Sequence, residues 1–351
     1  MNSPYHAGRI VRSQQRDIVM LYPGEWSGKN MGTNLRKLVT PTEIDIASLR
    51  HKTLAVDAHN QIYQFLSVIR QPDGEYLRTS DGKVTSHLLG LLPRTANLLN
   101  RGIKLAYVFD GLPPQLKEQT IRSRSDRKSD AAEKLAQAKE AGATAEMKKY
   151  AARTARLTPE IIDSSKRFLK AIGVPVIQAP SEADAQTALM VQKGGCYAAA
   201  STDYDTLLHG SPRLVRRLSK SQRATSGPEL LVLEDILDTL GISHDELIAI
   251  AIMMGTDYHP RGIRGIGPKR GLKLVKQNDI PKAFDRAGCD FDWQAIMGLY
   301  QDMETEEDYS VLWEPPNNEA IRVMLVDEYE FSEDTVEKRI DELEDAYEQF
   351  G

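Results

Sequence analysis

The segment STDYD, residues 201–205, places two aspartates two positions apart directly after the small apolar run CYAAA. A chain leaving a sheet often uses one aspartate, whose side chain bonds to nearby backbone amides. Two at one strand end raise the question of what else lies at that level. KTLAVD closes on Asp57, KLAYVFD closes on Asp110, and GVPVIQAP leads into SEAD, which carries Glu182 and Asp184 at the head of an apolar helix. Six carboxylates, Asp203 and Asp205 included, therefore stand at the ends of four short apolar runs. A seventh, Asp257, follows the apolar helical pattern DELIAIAIMMG.

Each of these has a simpler reading. Asp57 and Asp110 suit turns, and SEAD is also a capping box in which Asp184 bonds back to the Ser181 amide. Collectively the simpler readings fail, because this many carboxylates at one edge repel one another unless cations lie between them. An all-oxygen set suits hard cations, Mg²⁺ or Mn²⁺. Two such ions about 3.5–4 Å apart can activate a water and stabilise the leaving oxygen in phosphodiester cleavage.

The elements that must position these groups follow from periodicity. Each apolar run precedes a helical pattern; after Asp57, for example, Ile62, Phe65, Leu66 and Ile69 line one face of NQIYQFLSVIR. Strands alternating with helices predict an α/β fold with a parallel sheet, which binds ligands beyond the carboxyl ends of its strands. Directly after Asp257 comes RGIRGIGPKRGLKLVK. Glycines admit close backbone approach and amides at a helix start bind phosphate, so this stretch reads as a helix-hairpin-helix clamp on a duplex backbone.

Formal net charge is −5, but its distribution is uneven: residues 301–351 hold 18 acidic and 3 basic residues, which leaves 42 basic and 32 acidic in the first 300. Basic residues concentrate at 117–156, 212–223 and 261–276. Singly each is a solvated face; together they point to a phosphate-backbone partner. The apolar content of 41% is that of a globular chain, and no run is long enough to cross a bilayer or form a signal-peptide core. A cytoplasmic protein is expected. Cys196 and Cys289 lack neighbours at ligand spacing and read as structural thiols.

The segments MGTNLRKLV, VDAHNQIYQFL, TSHLLG, YVFDGLPPQLK, APSEADAQ, AASTDYDTLLHGSP and MMGTDYHPRGIRGIGPKR, in this order from Met31 to about Phe331, resemble the flap endonucleases among the XPG-like 5′ nucleases, archaeal members in particular. The resemblance implies a PIN-like nuclease core flanked by helices, a helical arch and a helix-hairpin-helix element of the H2TH type. It also implies two-metal cleavage of 5′ flaps near the junction of single-stranded and duplex DNA, with 5′–3′ exonuclease activity, in replication and repair. The family's seven metal carboxylates fall on Asp57, Asp110, Glu182, Asp184, Asp203, Asp205 and Asp257. Many members carry Glu at Asp184, where the shorter arm would act through a bound water.

The same resemblance places a catalytic Lys and Arg at Lys117 and Arg124, two helical turns apart, so both could reach one phosphate; read alone, they are two more solvated cations. It assigns 122–156, rich in Lys, Arg, Ala and Glu, to a mobile arch over the metals that orders when DNA binds. It sets Tyr63 to stack on a nucleotide and Arg70 to contact the DNA backbone, although an aromatic packed at the helix edge is the plainer reading of Tyr63. Gly265, Gly267, Lys269 and Arg270 become duplex contacts, with K⁺ at the hairpin.

The expected organisation is an N-terminal extension over 1–30, disordered or an upstream misreading of a start at Met31. A nuclease region over 31–130, a second with arch and hairpin over 131–290, and an acidic C-terminal region over 291–351 follow. The acidic region reads as a weak competitor of DNA. The sliding-clamp peptide common in the family has no full counterpart in EDAYEQFG. The expected partner is branched DNA with a 5′ flap, bound by a monomer without a membrane.

Overall fold

A computed structural model describes residues 35–218 and 227–350. The expected extension 1–30 and residues 219–223 of the second basic run lie outside the described residues. Among these, seven strands form one sheet: β1 (Thr42–Glu43), β2 (Thr53–Asp57), β3 (Lys104–Phe109), β4 (Val176–Gln178), β5 (Ala198–Ala200), β6 (Arg213–Arg216) and β7 (Glu229–Val232). Their order is β1-β7-β6-β5-β2-β3-β4. The five strands from β6 to β4 run parallel, while β7 pairs antiparallel with both β6 and β1. The predicted parallel sheet is thus its larger part; the basic run conceals β6, and the antiparallel edge comes from the short strands β7 and β1 beyond it.

Helices α1 (Ala58–Val68), α2 (Ser86–Asn100), α3 (Glu118–Glu140), α4 (Thr144–Ala151), α5 (Pro159–Ala171), α6 (Ala183–Gln192) and α7 (Asp205–Leu208) alternate with the strands. After β7 come α8 (Leu233–Leu240), α9 (His244–Met254), α10 (Pro268–Gln277), α11 (Ile280–Ala287), α12 (Trp293–Gln301), α13 (Asn318–Arg322) and α14 (Glu333–Glu348). No helix among the described residues is long and apolar enough to cross a membrane.

Side chains alternate across a strand, so each strand feeds two cores. Leu105, Tyr107 and Phe109 of β3 pack with Leu54 and Val56 of β2 under α1, α2, α5 and α14. Ala106 and Val108 face the other way, with Ala55 and Ala199, under α6 and α9. The small residues on that second face let α6 lie close to the sheet. Helix α9 is buried along its length from Leu247 to Met253, which explains why its sequence lacks a polar face.

The acidic C-terminal region is not a free tail. Val336, Ile340, Leu343 and Ala346 give α14 an apolar stripe at helical spacing, and all four are buried in the core shared with α2. The arch helices α3 and α4 are both formed and packed on each other. Ala131, Leu135 and Ala138 provide a narrow buried stripe, while the remaining surface of α3 is charged and exposed.

Candidate active site

Asp57, the last residue of β2, is also the N-cap of α1: its Oδ1 accepts from the Asn60 amide at 2.9 Å, and Ser201 Oγ donates to Oδ2 at 3.3 Å. Asp110 follows β3. Its Oδ1 accepts from the Ala183 amide at 2.7 Å, and His59 Nδ1 lies 2.7 Å from Oδ2. Gly111 lets this loop press against the loop after β4, since a Cβ there would lie 2.2 Å from the Pro180 carbonyl oxygen. Strands β5, β2 and β3 are adjacent, so Asp57, Asp110 and the Asp203/Asp205 pair stand side by side at their carboxyl ends.

Glu182 precedes α6. Its Oε1 lies 2.7 Å from Lys117 Nζ, and Oε2 accepts from the Tyr258 hydroxyl at 3.0 Å. The capping box drawn from SEAD does not form: Glu182 is the N-cap, and Asp184 Oδ1 instead accepts from Thr206 Oγ1 at 2.9 Å. Asp205 opens α7 and is buried. Asp257 reaches the group from beyond α9; Arg124 Nη2 lies 2.6 Å from its Oδ1 and Lys117 Nζ 3.4 Å from its Oδ2. Thr120 Oγ1 donates to the Asp257 carbonyl at 2.5 Å, fixing the first turn of α3 over the site. Lys117 and Arg124 therefore converge on one carboxylate instead of lying free on a basic helix.

The electrostatics identify what the cluster can hold. Burial, and then the charge of Asp110, pushes the Asp57 carboxyl up to about 6. Asp184 and Asp203 are driven well above the usual carboxylate range by burial and then by their acidic neighbours. Burial also acts to raise Asp110, but the His59 hydrogen bond and charge outweigh it and hold that carboxyl low. Burial opposes the charge on Lys117, yet Glu182 and Asp257 raise its pKa. Among the described residues no three of these side chains surround a single coordinating point. A crowded all-oxygen set whose members raise one another's pKa nevertheless fits divalent hard cations, which would relieve that repulsion.

The DNA-contact expectations divide. Tyr63 is half-buried, with Lys128 of α3 lying 4.6 Å from its ring centre and bonded to its hydroxyl. Arg70 needs correction: it is 4% exposed, donates to the carbonyls of Leu66 and Gly74 at 2.7 and 2.9 Å and to Thr154 Oγ1 at 3.2 Å, and lies over Tyr76. It ties α1 to the following loop and to the foot of the arch. Arg70→Ala is expected to cost about 2–3 kcal/mol of stability in denaturant unfolding while changing the DNA affinity of folded protein less than about twofold. A large affinity loss at full stability would restore the DNA-contact reading.

In the hairpin Gly265 adopts φ +80°, and Gly267 is the N-cap of α10 with Pro268 at its first position. Ile263 and Ile266, on either side of Gly265, are buried as anchors, and Lys269 and Arg270 are exposed. Among the described residues of the run 212–223, the strand departs from a phosphate-facing patch. Residues 213–216 are β6, and Arg216 turns inward to donate to the Thr202 carbonyl at 2.9 and 3.1 Å and to the Tyr204 hydroxyl at 2.6 Å. It braces the loop that carries Asp203 and Asp205. Sequence reasoning passed over Arg216, Ser201, Thr206, Tyr258, His59 and Asn60. Only His59 and Asn60 left a legible signal, as first-turn residues directly after a strand-end carboxylate.

Comparison with known proteins agrees with this geometry. The chain matches the XPG N-terminal domain over residues 31–131 and the XPG I-region over 173–257. It is 42% identical over 333 residues to flap endonuclease 1 of Hyperthermus butylicus, covering 90% of this chain and 95% of that one. It is 42% identical to flap endonuclease 1 of Pyrococcus furiosus over 325 residues, 90% and 96% of the two chains. The solved flap endonuclease-1 from Methanococcus jannaschii superposes with a TM-score of 0.74 at 37% identity, covering 91% of this chain and all of that one. The catalytic core of Rad2 in complex with DNA substrate shares the fold, with a TM-score of 0.66 at 23% identity over 88% of this chain and 97% of that one. With six strand-end and helix-start acids and Asp257 beyond α9 gathered near Lys117 and Arg124, and with relatives this similar over nine-tenths of its length, the chain belongs to the flap endonuclease family of XPG-type nucleases.

Proposed function

We propose that this chain is a structure-specific 5′ flap endonuclease that uses Mg²⁺ to hydrolyse a phosphodiester near the junction of single-stranded and duplex DNA, and that it also has 5′–3′ exonuclease activity. The observation that carries this reading is a group of mutually repelling carboxylates at the strand ends, met by Lys117 and Arg124, which pair with Glu182 and Asp257. Asp57, Asp110, Glu182, Asp184, Asp203, Asp205 and Asp257 would hold the divalent ions. When bound, the ions supply an activated water and stabilisation of the leaving oxygen.

The chain's own groups do the rest. Lys117 and Arg124 present positive charge beside Glu182 and Asp257, where a scissile phosphate would accumulate negative charge in the transition state. Tyr63 offers an aromatic face, a grip that tolerates any base. The amides at the start of α10, with Lys269 and Arg270, suit a duplex backbone. The protein is proposed to act as a monomer on branched DNA.

Cleavage of a 5′-labelled double-flap DNA in Mg²⁺, compared with a single-stranded control, tests the reading. Wild type is expected to cut at the junction. Asp203→Asn is expected to cut more slowly by a factor on the order of 10³ while still binding the flap. Equal cutting of flap and single strand, or no cutting by wild type, would overturn it.

A further inference from the structure

We propose that the first turn of α1 is the positioning hub of the metal site, with His59 and Asn60 setting where three carboxylates from three adjacent strands stand. The inference rests on the divalent-metal reading above. Asp57 ends β2 and is held by the Asn60 amide at 2.9 Å. Asp110 follows β3 and has Oδ2 2.7 Å from His59 Nδ1. Asp203 follows β5 and has Oδ2 3.4 Å from Asn60 Nδ2. One helical turn thus touches an acid from each strand of the β5-β2-β3 triplet.

Chemistry fixes the direction of both side-chain contacts. An ionised carboxylate only accepts, so His59 Nδ1 carries the proton and donates it to Asp110. Asn60 Oδ1 receives two donors, Thr202 Oγ1 at 2.8 Å and Gln64 Nε2 at 2.7 Å, so its amide nitrogen is the group turned to Asp203. The His59 ring stands edge-on to Phe109 at 5.7 Å and 85°. Its Nε2 is buried with no hydrogen-bond partner among the described residues, so the hydrogen bond to Asp110 and the edge contact with Phe109 orient the ring.

Each of these contacts takes up one lone pair of one carboxylate oxygen, so a hydrogen bond from imidazole or amide holds the acid in place while the acid keeps further lone pairs for a metal. His59 and Asn60 are therefore positioning residues: they spread the ordering of three mutually repelling acids over one rigid turn.

Mn²⁺ binding to the DNA-free protein, followed by the electron paramagnetic resonance signal of the unbound ion, tests the hub without relying on activity. His59→Phe keeps an aromatic edge against Phe109 and removes the donor. It is expected to weaken Mn²⁺ binding about 10-fold or more. His59→Asn, whose amide nitrogen falls near the place of Nδ1, should return to within about threefold of wild type, and Asn60→Ala should weaken binding independently of His59. An unchanged His59→Phe isotherm, or equal losses in His59→Phe and His59→Asn, would overturn the inference while leaving the nuclease reading intact. Wild-type protein that takes up no Mn²⁺ would overturn the divalent-metal reading itself.

Discussion

Lys117→Ala is expected to slow single-turnover flap cleavage by about 10²–10³-fold while leaving flap affinity within about threefold. Lys117 Nζ bridges Glu182 at 2.7 Å and Asp257 at 3.4 Å, and the two acids hold its charge firmly in place despite burial. A fixed cation in a partly buried site gains strength as the phosphate develops charge and needs no reorganisation then, so its loss falls on the chemical step. Lys117→Arg is expected to rescue poorly, because a planar fork cannot occupy the point between two carboxylates that an ammonium fills. Arg124 shares Asp257 with Lys117, at 2.6 Å, so the double variant should lose less than the product of the single losses. Single-turnover rates at saturating enzyme separate the chemical step from binding. A loss confined to flap affinity would make Lys117 a phosphate-binding residue without a role in the chemistry.

What the sequence disclosed and what it hid divide along physical lines. The strand-end acids were legible because β2, β3, β4 and β5 are short apolar runs whose ends are marked by a change to polar residues, and a parallel sheet brings such ends together. Strand β6 was hidden because RLVR carries arginines at both ends; Leu214 and Val215 are buried while Arg216 finds its acceptors in Thr202 and Tyr204, far from it in neither space nor chain. Arg70 misled for the opposite reason. It lies just past the apolar stripe that ends at Ile69, and what buries it is the later loop at Gly74 and the distant Thr154, which no local pattern announces. In the C-terminal region the stripe of Val336, Ile340 and Leu343 was present, but the excess of acidic residues drew attention from a periodicity that charge does not erase.

The raised carboxylates also give metal-free stability an unusual pH dependence, and Asp184→Asn is expected to stabilise the metal-free protein. Asp57 shows the sign. Its carboxyl rises from 3.8 to about 6, by burial and then by Asp110, so between these values the folded form binds more protons than the unfolded one. Stability contributed by this group is therefore present below about pH 4 and is lost as pH rises towards 6, by an amount on the order of 3 kcal/mol. Asp110, held low by His59 against its burial, works in the other direction.

Asp184 is the cleanest place to test the balance, since burial, Asp57, Asp205, Asp203 and Glu182 all push its carboxyl up. Asparagine removes the charge and keeps an oxygen to accept from Thr206, now at 2.9 Å. At pH 7.5 with a chelator, Asp184→Asn should unfold about 2–6 °C higher than wild type, the equivalent of about 1–2 kcal/mol. The advantage should shrink as pH falls and become small near pH 4, where wild-type Asp184 is neutral in the folded state and about half protonated in the unfolded one. Millimolar Mn²⁺ at pH 7.5 should reverse the order if Asp184 holds metal as proposed, because binding to the folded form alone then stabilises wild type more than the variant. Thermal unfolding at the two pH values, with chelator and with Mn²⁺, measures all of this. A variant less stable than wild type in chelator at pH 7.5 would mean that the acids at this sheet edge do not repel one another enough to require cations.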